Sequence, residues 1–66
     1  MSDDVPTPSE VYFEFRPLGG SVKVSAIHAA TGVEVSVVGP TGAAQADLQR
    51  LVLQKLKARL KALDKL

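Results

Sequence analysis

His28 is the one histidine of the chain. As a general base it would need a nucleophile or an orienting carboxylate within hydrogen-bond reach. Glu34 is the acidic residue that local folding brings nearest, but strand alternation sends it to the opposite face. A metal site would need two or three more suitable ligands, and the chain has no cysteine to offer. His28 therefore reads as a loop-edge residue, and the expectation is no catalytic, metal or cofactor-binding residue and no cofactor.

Two short strings invite functional readings. Gly39-Pro40-Thr41-Gly42 lies between a strand pattern and a helix pattern, where phosphate-binding turns occur. The Lys-Ser/Thr pair of a P-loop is missing, and the GxxG loop of KH modules joins two helices instead. A turn with Thr41 as helix N-cap explains the string. Val11-Tyr12-Phe13-Glu14-Phe15 places aromatics on a strand, as RNA-binding sheets do. Phe13 and Phe15 share the face a helix must cover, leaving Tyr12 alone outside.

Charge is the remaining signal. Residues 1–47 carry two cations against six anions, whereas residues 48–66 carry six against one. Arg50, Lys57, Lys61 and Lys65 form a candidate surface for an anionic partner. Phosphate contacts there would be salt-dependent, but no aromatic is interleaved to stack on a base. A membrane-surface helix would carry Trp or Phe at its apolar edge, and this one carries neither. No membrane partner is expected, and a nucleic acid stays open as the alternative.

The elements that must hold these residues follow from periodicity. Pro6 and Pro8 make residues 1–9 a tail, leaving 10–66 as a single domain. Strand alternation sets Val11, Phe13 and Phe15 against Tyr12, Glu14 and Arg16. Pro17 to Gly20 reads as a four-residue turn, which would pair Phe15 with Val22 and Glu14 with Lys23. A second strand runs from Ser21 to about His28. Ala29 to Gly32 forms a four-residue loop with Gly32 left-handed, and a third strand spans Val33 to Val38. In this hairpin Ala26 faces Val35, Ser25 faces Ser36 and Val24 faces Val37. From about Ala43 onward only helix formers occur, with Leu48, Val52, Leu56 and Leu63 on one face. The fold class is α+β: a three-stranded antiparallel meander and one long C-terminal helix on one face, β-β-β-α.

A helix of about 24 residues would run about 36 Å, against about 20 Å for six-residue strands. It should overhang its sheet and carry leucines with 3-4-3 spacing. Leu53, Leu60, Leu63 and Leu66 are therefore expected at a contact between copies, in a homo-oligomer with a dimer favoured. A chain of 66 residues without disulfide or metal gains most from such assembly. The leading function is a non-enzymatic, self-associating protein-interaction module. The acidic start and the absence of a long apolar run suggest a cytoplasmic protein.

The strings Glu10 to Arg16, Val22 to Ile27, Thr31 to Pro40, and Leu51 to Leu60 with Lys55-Leu56 resemble short alphaproteobacterial proteins grouped as a domain-of-unknown-function family. The likeness spans about residues 10–60. It implies a complete small bacterial protein and brings no activity, cofactor or site. Members tend to carry Asp where this chain has His28.

Overall fold

The computed structural model describes residues 10–64. The expected tail over residues 1–9, Lys65 and Leu66 lie outside that range. Strand alternation is realised as β1 (Val11–Leu18), β2 (Ser21–His28) and β3 (Glu34–Pro40), followed by α1 (Gln45–Ala62). The strands form one antiparallel sheet in the order β1-β2-β3. α1 packs on one face, over β2 and β3.

The core forms where the central strand meets the helix. Val24 and Ala26 of β2 are buried against Leu48, Val52, Leu56 and Leu60. These four helical residues recur every fourth position, so their side chains stack along one face. Val11, Phe13 and Phe15 of β1 pack against the rim of this cluster and stay half-buried.

The second hairpin has the expected register, with Ala26 opposite Val35, Ser25 opposite Ser36 and Val24 opposite Val37. Its loop closes through Gly32 N–H to His28 O at 2.8 Å and His28 N–H to Val33 O at 2.9 Å. Gly32 has φ +74°, the left-handed conformation glycine adopts without steric cost.

The first hairpin is tighter than expected. β1 continues through Pro17 and Leu18, and only Gly19 and Gly20 form the turn. Gly19, the first turn residue, has φ +61°, as a type II′ turn requires. Pro17 is tolerated because its ring nitrogen faces away from β2. Ala29 N–H donates to Glu10 O at 3.0 Å, so ladder bonds run from the even-numbered β1 residues and the odd-numbered ones point outward. The register is displaced by two residues from the expected one. An even displacement keeps every side chain on its face, but partners change. Phe15 faces Val24, Phe13 faces Ala26 and Glu14 faces Ser25. The expected Glu14–Lys23 pair is replaced by Arg16 opposite Lys23.

The helix start is also corrected. Gly39 and Pro40 belong to β3, and Thr41 donates its N–H to Gly20 O at 3.1 Å instead of capping the helix. Ala44 occupies the N-cap position and makes no side-chain cap bond. Gly39 is needed for a packing reason: a Cβ there would lie 2.5 Å from Leu48 Cδ2.

The expected overhang is absent. α1 has 18 residues, about 27 Å at 1.5 Å per residue. Eight-residue strands span about 26 Å. Longer strands and a shorter helix make the two layers match. Leu60 therefore falls above the sheet and is only 2% exposed. Within the protomer it is a core residue.

Candidate functional site

His28 does structural work in its loop. Its Nδ1 lies 2.8 Å from Thr31 Oγ1, and that hydroxyl oxygen accepts the Val33 N–H at 3.2 Å. The Thr31 hydroxyl thus contacts both the imidazole ring and the backbone across the loop. The pair braces the hairpin loop. Among the described residues, no group of three His, Asp or Glu is placed to hold a metal ion.

The two sheet edges differ, and the difference follows from backbone parity. On β3, the His28–Val33 bond sets the inward pairs, so Glu34, Ser36, Val38 and Pro40 face the open side. That edge is obstructed. Lys55 Nζ donates to Ser36 O at 2.7 Å, and Pro40 has no N–H to offer. Charged side chains and prolines are standard protections of a strand edge.

On β1 the outward groups belong to Val11, Phe13, Phe15 and Pro17. Only Pro17 obstructs it, at one end, and no described residue pairs with the rest. The same Val11, Phe13 and Phe15 carry the apolar face of the strand, half-buried because the helix lies over β2 and β3. A helix is about 10 Å across and strands are spaced about 4.8 Å apart. One helix therefore covers two strands and leaves the third partly open.

The flank of α1 toward β1 is also apolar. Lys55 marks the β3 flank through its bond to Ser36. Leu53, two residues earlier, projects about 160° around the helix from Lys55, and it is half-buried. At the hairpin end, a cavity of about 230 Å³ lies between Phe15, Pro17, Val22, Ala43 and Leu48. Leu53 and the apolar side chains of this cavity thus border β1 and form its margin.

The candidate contact leucines are thus dispersed. Leu53 borders the β1 margin, Leu60 is buried, and Leu63 is 41% exposed beyond the core. Arg50, Lys57 and Lys61 are exposed on the outer side of α1, within an arc of about 40°. Arg50 lies 3.8 Å from Asp47, an exposed pair of small energetic weight. The β1 edge was not identified from sequence. The signal for it was present in the count of elements, because three strands and one helix leave one strand uncovered.

Residues 8–63 match the model of a family described as Domain of unknown function (DUF6898). No curated protein and no solved structure matches the chain. Among the described residues, no helix is long and apolar enough to cross a membrane.

Proposed function

The chain belongs to the DUF6898 family, defined by a shared domain and not by an activity, and from that premise we propose a non-enzymatic protein-interaction module that self-associates. The observation that carries this reading is the β1 margin. A strand edge unpaired among the described residues and a half-buried apolar face coincide on the same three residues, Val11, Phe13 and Phe15. Edge pairing supplies main-chain hydrogen bonds, and burying the exposed remainder of two phenylalanines supplies the hydrophobic gain. A small chain without disulfides has reason to gain stability this way.

Light scattering from low to high micromolar concentration tests it. The expected result is a mass twice that of the 7.0 kDa chain as concentration rises. A single-chain mass throughout would sink self-association.

A second reading has its own observation, the alignment of Arg50, Lys57 and Lys61 on one exposed stripe of α1. In this reading the stripe follows the phosphates of a nucleic acid. Binding to a duplex should then fall steeply with added salt, whereas an apolar contact between copies should be nearly insensitive. Salt-insensitive or absent duplex binding would eliminate the nucleic-acid reading.

A further inference from the structure

Resting on the self-association reading, we infer that the occupant of the β1 edge is the β1 strand of a second copy. It runs antiparallel across a two-fold axis at Phe13, with Arg16 of each copy opposite Glu10 of the other. Backbone parity makes the first selection. The outward-facing groups of β1 lie at odd positions, so pairing of β1 with itself must set odd against odd.

Charge makes the second. An axis at Tyr12 would set Glu10 against Glu14 of the second copy, and an axis at Glu14 would set the two Glu14 side chains against each other. An axis at Phe13 instead sets Val11 against Phe15 and Phe13 against Phe13 on the apolar face. On the outer face it sets Tyr12 against Glu14 and Arg16 against Glu10. An axis at Phe15 would also pair Glu14 with Arg16, but it sets Phe13 against Pro17, whose missing N–H removes a ladder bond.

The pairing relieves a conflict within the protomer. Arg16 stands opposite Lys23 in the β1–β2 ladder, a like-charge arrangement that is unfavourable in a cross-strand pair. On its other side no described strand stands beside it. Glu10 of the second copy would neutralise it there, twice per dimer by symmetry. The result is one six-stranded sheet with both helices on one face. Each helix sits over β2 and β3, so their axes would lie about 19 Å apart at about 4.8 Å per strand. The trough between them is floored by Val11, Phe13 and Phe15 of both copies and bordered by the two Leu53 side chains.

Charge exchange tests this register without endangering the fold. Arg16→Glu places an acid opposite Lys23, which favours the protomer. Glu10→Arg or Arg16→Glu alone sets like charges against each other at two sites and should weaken dimerisation roughly tenfold. The double variant E10R/R16E should restore it. Because the chain has no cysteine, Tyr12→Cys and Glu14→Cys can be mixed as single-thiol proteins. Those positions would face each other as a non-bonded pair with Cα atoms about 4.5 Å apart, within disulfide reach. The mixture should give the mixed disulfide in preference to either self-disulfide. A dimer that is insensitive to all three charge variants, or shows no preference for the mixed disulfide, would overturn the register and leave self-association standing. A monomeric parent chain would overturn both.

Discussion

Lys55 Nζ donates to the carbonyl oxygen of Ser36 at 2.7 Å, tying the helix to the outer side of β3. The bond occupies one main-chain acceptor that an incoming strand would need. It also orients the helix, fixing which flank faces β3 and which faces β1. The two edges of this small sheet are consequently unequal: one is guarded by a lysine and a proline, and on the other no described residue pairs with Val11, Phe13 or Phe15.

Removing that guard should have two effects. Lys55→Ala should lower stability by about 1 kcal/mol, the net worth of one hydrogen bond, as read by urea denaturation. It should also raise the aggregation rate of the folded protein, because β3 gains a free acceptor beside the exposed Val38. Unchanged aggregation in light-scattering time courses would show that the lysine is not an edge guard.

A side chain at Gly39 should force Leu48 to move. A methyl group there meets Leu48 Cδ2 at 2.5 Å, so Gly39→Ala should cost about 1–3 kcal/mol through overpacking. Shortening the neighbour tests the cause. In a Leu48→Ala background the same substitution should cost much less, and a full additional cost in the double variant would refute the contact.

Leu60 and Leu63 should behave as different kinds of residue despite their shared type and adjacent turns. Leu60→Ala empties a core position and should cost about 2–5 kcal/mol. Leu63→Ala, at a position 41% exposed, should cost much less than that. Thermal melts of the two variants at one protein concentration decide it; equal losses would place the core wrongly.

Thr31→Val should loosen the second hairpin loop. It removes the acceptor of the Val33 N–H and the partner of His28 Nδ1. The expected loss is about 1 kcal/mol, with faster amide exchange at Val33 and little change in the core strands. Unaltered exchange at Val33 would mean that the hydroxyl does not brace the loop.

Much of this fold was legible in the sequence. Period-two alternation from Val11 onward, the glycine at position 32 and the glycine-free run after Ala44 determined three strands, their faces, the second register and a C-terminal helix. These are local properties, set by steric limits on backbone angles and by which side of a strand or helix is apolar. The first register was not determined locally. Pro17 read as a turn because proline cannot donate to a ladder, whereas in the folded sheet it occupies the outward side of an edge strand, where no donor is required. The same is true of Leu60. Its spacing fitted a contact between copies and a core stripe equally well, and only the matching lengths of helix and sheet placed it inside. Three strands and one helix implied that some strand stays uncovered, but which one was decided by tertiary structure. Hydrogen-bond parity along β1, the bond from Lys55 to Ser36 and the width of a single helix decide together which strand remains uncovered, and none of these is encoded in a local pattern.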